Sequence, residues 1–358
     1  MKIVFFIQGM KSGGAERVMS VLCNSMADKG HEVILGITET MDDMSYAISE
    51  KVQIKDITVG AGSVVTRRLA SIKNMRRLLK TEKPDVVISF ITRTNVYAIL
   101  ASRLLKIPVI VSERNDPRMD PKGRIMRMAR KLIYPFAKGI VFQTGYAKEC
   151  FSKRIRKKST VIYNPVSDEV LALDTDMTRD KKIITVCRLE PQKNIEMLID
   201  AYSSLSEERG YGLEIYGVGK LQKELDNKIK AMGLESKVKL MGYTPKAIEI
   251  MAKSEIFALT SNYEGMPNAL IEAMCVGCAC IATDAPAYGA REFLIHEKNG
   301  ILIKVGDTSG LTNALQRVID NEDLRKEFSK NAREVYKNVA TDKIVYRWLE
   351  YIDRVCNK

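Results

Sequence analysis

The chain has 358 residues, 46% of them hydrophobic, a formal net charge of +13 and seven cysteines. That length overfills one ordinary core and suits two domains. No apolar run approaches the roughly 20 residues of a membrane-crossing helix, and an odd, scattered set of cysteines argues for a reduced cytosolic setting rather than a disulfide scaffold.

Taken in order, Met1-Lys-Ile-Val-Phe-Phe-Ile7 is too short for a signal peptide and runs into a glycine loop, so residues 2–8 read as a first strand. A helix over 14–29 and a strand over 31–38 follow, then short apolar runs at 85–90, 108–113 and 139–144 separated by helical patterns. This is the mark of parallel sheet with crossover helices. A strand over 159–163 ends at Asn164-Pro165, and the polar stretch 167–182 reads as a linker. The pattern then restarts, with strands over 183–188, 212–216, 237–242 and 255–260 and helices over 195–208 and 220–232. Strands over 278–283 and 300–303 and helices over 309–321 and 322–338 come next, and a last helix over 341–355 carries the only tryptophan, Trp348. The expected boundaries are a first Rossmann-like domain over 1–166, a linker over 167–182 and a second Rossmann-like domain over 183–340.

The most informative run is Ser261-Asn-Tyr-Glu-Gly-Met-Pro-Asn-Ala-Leu-Ile-Glu-Ala273, directly after an apolar strand. It puts Glu264 in a loop, Pro267 at the first helical turn and Glu272 about one and a half turns on. Exposed backbone N–H groups at a helix start suit a diphosphate, and proline there gives up a hydrogen that the helix leaves unpaired anyway. Two carboxylates flanking the turn accept hydrogen bonds from sugar hydroxyls. A nucleotide-sugar needs that combination.

Arg188 ends the first strand of the second half and Lys193 lies five residues on, before a helix. Ligands of open α/β sheets bind at the carboxyl ends of strands. There arginine offers a fork and lysine a point charge to a diphosphate; ordinary surface charge is the alternative. Gly9-Met-Lys-Ser-Gly-Gly-Ala-Glu-Arg17 joins strand to helix. Ala15-Glu16 stand where a Walker A loop requires Lys-Ser/Thr, and the spacing is not Gly-x-Gly-x-x-Gly. Gly13 and Gly14 permit close backbone approach to a ligand and positive φ, or simply a tight turn. Tyr216-Gly-Val-Gly-Lys220 is equally compatible with turn chemistry and ligand contact at Gly217, and Leu240-Met-Gly-Tyr243 closes the next strand.

Together with Ser112-Glu113-Arg114-Asn115, these motifs resemble, in order and spacing, glycosyltransferase family 4, over almost the whole chain. The resemblance is greatest to bacterial transferases that extend lipid-linked oligosaccharides, including N-acetylgalactosamine transferases. It implies the GT-B fold, two Rossmann-like doubly wound domains facing a central cleft, with the 341–358 helix returning to the first domain. It implies sugar transfer with retention from a nucleotide-sugar, UDP-linked, to a lipid-linked saccharide in surface polysaccharide assembly. In that family a residue matching Glu272 accepts both ribose hydroxyls, and one matching Glu264 contacts the transferred hexose. Arg188 and Lys193 then neutralise the leaving diphosphate, amides at Gly265, Met266, Pro267, Asn268, Ala269 and Leu270 lie near the phosphates, and the backbone of Gly242 and Tyr243 lies beside the base. Gly13 and Gly14 approach the donor, and Glu16, Arg114 and Asn115 are acceptor-side groups. The implied reaction is a front-side displacement, unlike a retaining hydrolase with its two carboxyls about 5 Å apart. No metal or other cofactor is expected, since cations and backbone dipoles offset the diphosphate charge.

Many relatives place a histidine near the reacting sugar. Here His31 reads as structural and His296 as an exposed turn residue. Glu113 stands at the corresponding strand end, either orienting an acceptor hydroxyl or in a structural ion pair. Asp174-Thr-Asp176 matches an Asp-x-Asp string but sits in the polar stretch, and Cys275, Cys278 and Cys280 read as small buried hydrophobes rather than a zinc site.

Charge is uneven: residues 1–170 carry 30 Lys+Arg against 16 Asp+Glu, and 171–358 carry 27 against 28. One group comprises Arg67, Arg68, Lys73, Arg76, Arg77 and Lys80; a second (Lys122, Arg124, Arg127, Arg130, Lys131) interleaves with Ile125, Met126, Met128, Leu132 and Ile133. The second set makes either an ordinary surface helix or a contact with an anionic membrane, the setting implied being peripheral on the cytoplasmic face. Nucleic acid is disfavoured because no recognition motif accompanies the charge. The rival functions are a two-domain epimerase or phosphorylase, a non-catalytic membrane or nucleic-acid binder, and a nicotinamide oxidoreductase.

Overall fold

Strand and helix alternate along the chain in the computed structural model, which describes every residue except 12, 40–43, 61–62, 174–177, 207–208, 287–288 and 358. Two units form: Met1–Pro165 with Thr341–Lys358, and Val166–Ala340. Asp174 and Asp176 lie outside the described residues.

Unit 1 holds strands β1 (Lys2–Ile7), β2 (Glu32–Ile37), β3 (Val52–Asp56), β4 (Val86–Phe90), β5 (Val109–Ser112), β6 (Gly139–Phe142) and β7 (Ser159–Val161). They pair in parallel in the order β3-β2-β1-β4-β5-β6-β7, the doubly wound arrangement. The connecting helices are α1 (Gly14–Asp28), α2 (Val64–Glu82), α3 (Thr92–Ser102), α4 (Arg124–Ile133), α5 (Gly145–Glu149) and α6 (Lys153–Lys157). Side chains alternate across β1. Ile3, Phe5 and Ile7 enter one buried cluster with Val18, Leu22 and Trp348, while Val4 and Phe6 enter another with Met75, Leu79 and Tyr97. Covering both faces is why these strands read as unbroken apolar runs.

Unit 2 begins with α7 (Glu169–Ala172) and holds β8 (Asp180–Val186), α8 (Ile195–Ser203), β9 (Gly212–Tyr216), α9 (Gln222–Ala231), β10 (Val238–Gly242), α10 (Ala247–Ala252) and β11 (Ser254–Leu259). It continues with α11 (Asn268–Cys275), β12 (Ala279–Thr283), β13 (Ile301–Ile303), α12 (Thr308–Asp320), α13 (Glu322–Arg333) and α14 (Tyr336–Val339). Its six strands run parallel in the order β10-β9-β8-β11-β12-β13. The polar stretch 167–182 is not a bare linker: Val166 bridges Ala340, Val170 is buried, and β8 already starts at Asp180. Cys275, Cys278 and Cys280 are buried thiols in this unit, in no disulfide.

The last helix, α15 (Thr341–Cys356), packs in unit 1, burying Ile344, Val345, Trp348, Tyr351, Ile352 and Val355. The Tyr351 hydroxyl accepts from the Ile140 amide at 2.9 Å and donates to the Lys158 carbonyl at 2.6 Å. It thereby satisfies backbone groups at the β6–β7 edge that apolar packing would leave costly.

Candidate active site

In unit 2 the segment after β11 is stapled to the segment after β8. The Asn262 amide donates to the Gln192 carbonyl at 2.8 Å, its Nδ2 to the Pro191 carbonyl at 3.0 Å, and Gln192 Nε2 to the Tyr263 carbonyl at 2.9 Å. Thr260 Oγ1 donates to the Lys193 carbonyl at 2.9 Å. Asn194 turns the chain with φ +47°, a conformation asparagine tolerates well, and opens α8.

These ties bring Lys193 and Glu264 together. Lys193 Nζ is ion-paired with Glu264 Oε1, which also accepts from Ser261 Oγ at 2.7 Å. Both side chains are largely buried, at 14% and 8% exposure. A half-dry pair of this kind is held in one geometry rather than sampling many. Arg188 lies two residues past β8 and is exposed, with no side-chain hydrogen bond or ion pair among the described residues. It is a cation at a strand end with its donors available.

Two glycines fix the loop that carries Arg188. A Cβ on Gly217, whose φ is +134°, would stand 1.8 Å from the Cys187 carbonyl oxygen, and one on Gly219 would stand 2.3 Å from the Leu189 carbonyl oxygen. Backbone bonds Cys187 N to Tyr216 O and Leu189 N to Val218 O, both 3.0 Å, close the contact. So Gly217 is required by backbone approach whatever else it touches. Gly242 has φ +74° and accepts from the Gly217 amide, and Tyr243 beside it is exposed.

Pro267 caps α11 rather than sitting in its first turn, and Asn268 is the first helical residue. The order Gly265, Met266, Pro267, Asn268, Ala269, Leu270 thus forms the turn and helix start, with Glu272 buried on the helix. Sequence reasoning missed Gly289. A Cβ there would stand 1.8 Å from the Gly265 carbonyl oxygen and 3.0 Å from Pro267 Cδ, so this buried glycine backs the turn that carries Glu264. Ser261 and Thr283 were missed as well; Thr283 Oγ1 donates to the Ser261 carbonyl at 2.6 Å. No local motif marks Gly289 or Thr283, whose partners are distant in sequence; Ser261 sits in the same run as Glu264, three residues before it, and only the fold shows that its hydroxyl holds that carboxylate.

In unit 1, Gly13 is the N-cap of α1 with an extended φ of −165°, and Gly14 is not among the positive-φ glycines. Left-handed backbone is therefore not what these two glycines supply. A Cβ on Gly13 would stand 2.2 Å from Glu16 Oε2, so the Glu16 carboxylate folds back over its own helix start. Glu113 and Arg114 follow β5 and diverge. Glu113 is 2% exposed and takes hydrogen bonds from Thr92 Oγ1 at 3.1 Å and from the Tyr134 hydroxyl, with Arg130 Nη1 at 3.4 Å. Burial raises its carboxyl above the usual range, against the opposing pull of Arg130. Arg130 also donates to the Asp120 and Pro117 carbonyls, so this cluster anchors α4, which is the structural ion pair of the two expectations for Glu113.

Arg114 instead stacks its guanidinium 3.6 Å from the centre of the Phe90 ring and donates to Asn164 Oδ1 at 2.6 Å. Burial pushes it down to about 9. Its place is among Phe90, Trp348 and Asn164, away from the protein surface. Asn115 is exposed beside Asp120. Of the two histidines, His31 Nδ1 lies 3.4 Å from the terminal amine and His296 Nδ1 accepts from the Leu302 amide at 3.1 Å.

Residues 12–170 match the family model for Glycosyltransferase Family 4, and residues 175–335 match that for Glycosyl transferases group 1. The chain is 30% identical over 366 residues to a Campylobacter jejuni enzyme, GalNAc-alpha-(1->4)-GalNAc-alpha-(1->3)-diNAcBac-PP-undecaprenol alpha-1,4-N-acetyl-D-galactosaminyltransferase, covering 100% of this chain and 99% of that one. The chain belongs to the glycosyltransferases. A second relative from the same organism, N-acetylgalactosamine-N,N'-diacetylbacillosaminyl-diphospho-undecaprenol 4-alpha-N-acetylgalactosaminyltransferase, is 30% identical over 98% of this glycosyltransferase chain and 99% of its own. The crystal structure of Anabaena HepE in complex with UDP and glucose superposes with a TM-score of 0.80 at 21% identity, covering 99% and 100% of the two chains. That likeness speaks to the GT-B fold of this glycosyltransferase.

Proposed function

We propose that this glycosyltransferase moves a hexose or N-acetylhexosamine from a UDP-sugar to a lipid-linked saccharide with retention of configuration. The observation that supports it most is the Lys193–Glu264 pair, locked beside the start of α11, with Arg188 exposed two residues past β8 and Glu272 buried about one turn into α11. A sugar-binding carboxylate in contact with a phosphate-binding cation is what a hexosyl diphosphate requires, since its hydroxyls and its phosphate oxygens are neighbours. The names of the Campylobacter relatives support a diphospho-undecaprenol acceptor, and the HepE complex supports UDP.

In this reading Arg188 and Lys193 stabilise charge building on the departing diphosphate, with the α11 amides beside it. The anomeric C–O bond breaks, the acceptor hydroxyl bonds to the same face of the sugar, and its proton leaves with the diphosphate oxygen. Glu264 orients the hexose and Glu272 the ribose. The two cations do the charge neutralisation without a metal. Glu113 and Arg114, both engaged in the interior of unit 1, are positioning residues in this scheme, and Asn115 keeps an acceptor-side place.

The enzyme works at a membrane surface in this proposal. On α4, Ile125, Met128 and Leu132 are 77%, 64% and 61% exposed, on the side away from Met126 and Ile133, and Arg124, Arg127 and Lys131 run alongside them. Exposed apolar side chains flanked by cations match an anionic bilayer, whose acyl region takes the first and whose headgroups take the second. Among the described residues no helix is long and apolar enough to cross a membrane. Titrating the protein with UDP, UDP-N-acetylgalactosamine and UDP-glucose while following slow donor hydrolysis tests the donor reading. Absence of UDP binding, or binding unaffected by Arg188→Ala, would remove it.

A further inference from the structure

Arg114 carries its charge into the interior of unit 1. Its side chain leaves the end of β5 and is 8% exposed. The guanidinium stands 3.6 Å from the centre of the Phe90 ring, at the end of β4, and 6.0 Å from that of Trp348 on α15. Nη1 donates to Asn164 Oδ1 at 2.6 Å, and that oxygen also accepts from Gln143 Nε2 at 2.9 Å. Nε and Nη2 are buried and have no hydrogen-bond partner among the described residues. The indole N–H of Trp348, a fully buried side chain, has none among them either.

The carboxylates next to Arg114 in sequence are committed elsewhere. Glu113 faces Thr92, Tyr134 and Arg130, and Asp116 accepts from the Arg118 amide at 2.9 Å. Among the described residues Arg114 makes no ion pair, and burial alone pushes its guanidinium down, to about 9, which leaves it a cation at neutral pH. A buried charge with no opposite charge beside it is costly, and unpaired buried donors add to that cost. An anion accepting from those N–H groups relieves both.

The surroundings select the kind of anion. The unpaired atoms, Arg114 Nε and Nη2 and Trp348 Nε1, are all donors, so none of them suits a cation. One positive charge is balanced by one negative charge, whereas a dianion such as sulfate would leave an excess and give up far more hydration. Phe90 and Trp348 belong to one apolar cluster with Ile7 and Met10, which favours an ion that sheds water readily. A halide meets these conditions.

We propose that Arg114 and Trp348 hold a halide-sized monovalent anion, chloride, where the ends of β4 and β5 meet α15. The ion accepts from the free guanidinium N–H groups and from Trp348 Nε1, and it supplies the missing counter-charge. Phe90, Arg114, Asn164 and Trp348 come from β4, from the segments after β5 and β7, and from α15, so the ion ties the last helix to the strand ends of unit 1. No residue of unit 2 takes part, so the inference stands apart from the donor reading.

Trp348 is the only tryptophan of the chain, and its fluorescence therefore reads this site alone. A fully buried indole is shielded from collisional quenchers, whereas bromide held beside it quenches through the heavy-atom effect. The test is titration of the full chain with sodium bromide against sodium gluconate at constant ionic strength, with sodium chloride then added as competitor. Quenching by bromide is expected to saturate and to be reversed by chloride, with gluconate inert. Wild type is expected to melt at a higher temperature in chloride than in gluconate, because an ion that binds only the folded chain stabilises it. Arg114→Met, which keeps an unbranched side chain without the charge, is expected to raise the half-quenching concentration about tenfold or more. Asn164→Asp sets a fixed carboxylate against Arg114 Nη1, and is expected to remove saturable quenching and to melt at the same temperature in chloride and gluconate. Wild type without saturable quenching overturns the proposal, as does quenching that chloride does not reverse or that Arg114→Met leaves intact. If Arg114→Met does not fold, Asn164→Asp decides alone, wild-type quenching in that variant counting against the site.

Discussion

Lys193 and Glu264, 71 residues apart in sequence, form an ion pair at the point where the segments following β8 and β11 are stapled together. Ser261 holds the same carboxylate oxygen from the other side. The pair places a cation and an acceptor side by side before any ligand arrives, so binding need not organise them.

Removing either cation should cost activity far more than stability. Each preorganised donor to a developing oxyanion contributes about 10²–10³ in kcat, so Arg188→Ala and Lys193→Ala are each expected to lower turnover by that order. Arg188→Ala should leave the melting temperature unchanged, because its side chain is exposed and makes no bond among the described residues. Lys193→Ala strands a buried carboxylate and should destabilise by about 1–3 kcal/mol. The added change Glu264→Gln should recover much of that stability and none of the activity. Steady-state kinetics and thermal melts on the three proteins check this; wild-type turnover in either single variant contradicts the assigned roles.

Gly289 should prove as intolerant as the residues with obvious chemistry. Alanine there would meet the Gly265 carbonyl oxygen at 1.8 Å, a separation that backbone cannot absorb without moving the Glu264–Pro267 turn. Overpacking of this sort costs about 1–3 kcal/mol. Gly289→Ala is expected to lower UDP affinity at least tenfold, while Gly123→Ala, where an added Cβ meets nothing within 4 Å, should leave it unaltered. UDP titration of the two variants decides the matter, equal affinities counting against the steric argument.

The fold and half of the unit 2 site were legible because their signals are local. Apolar runs bounded by glycine announced the parallel strands, and Glu264, Pro267 and Glu272 share one short run. Edge strand β3 escaped notice because only Val52 of its five residues is buried, leaving little apolar signal. Gly289, Thr283 and Gln192 act through space on a turn they do not belong to, so no spacing betrays them. Glu113 and Arg114 look like one motif, yet past the end of β5 their side chains diverge, toward Tyr134 and toward Trp348.

Glu113 gives the protein a pH signature with a definite sign. Burial raises its folded-state value above that of an unfolded glutamate. Below the ordinary glutamate range both states hold the proton and the residue contributes nothing to the pH dependence. As pH rises past about 4.3 the unfolded chain releases its proton first, so stability declines until the folded value is passed and the penalty becomes constant. Glu113→Gln has no such proton. The stability of this variant relative to wild type is therefore expected to move in the variant's favour between pH 4 and the folded value. Urea titrations at closely spaced pH values measure it, and a difference that is flat or opposite in slope contradicts the burial argument.

The outward side of α4 yields a prediction that separates membrane contact from simple basicity. Lys122, Arg124, Arg127 and Lys131 are exposed, whereas Arg130 is turned inward to Glu113 and Arg76 donates to the Leu100 and Ala101 carbonyls. Each exposed cation near an anionic surface adds about 1 kcal/mol, and the inserted Ile125, Met128 and Leu132 add an apolar contribution that salt does not screen. Vesicles of phosphatidylglycerol and phosphatidylcholine should therefore carry the protein down on centrifugation, with partial retention at high salt. R124Q/K131Q, which removes two of the four exposed cations, should weaken the dependence on anionic lipid, and M128D/L132D should remove the salt-resistant fraction. Neither change touches unit 2, so UDP affinity is expected to stay at its wild-type value in both. Sedimentation that ignores lipid charge, salt and both pairs of substitutions would show that α4 is an ordinary solvated helix.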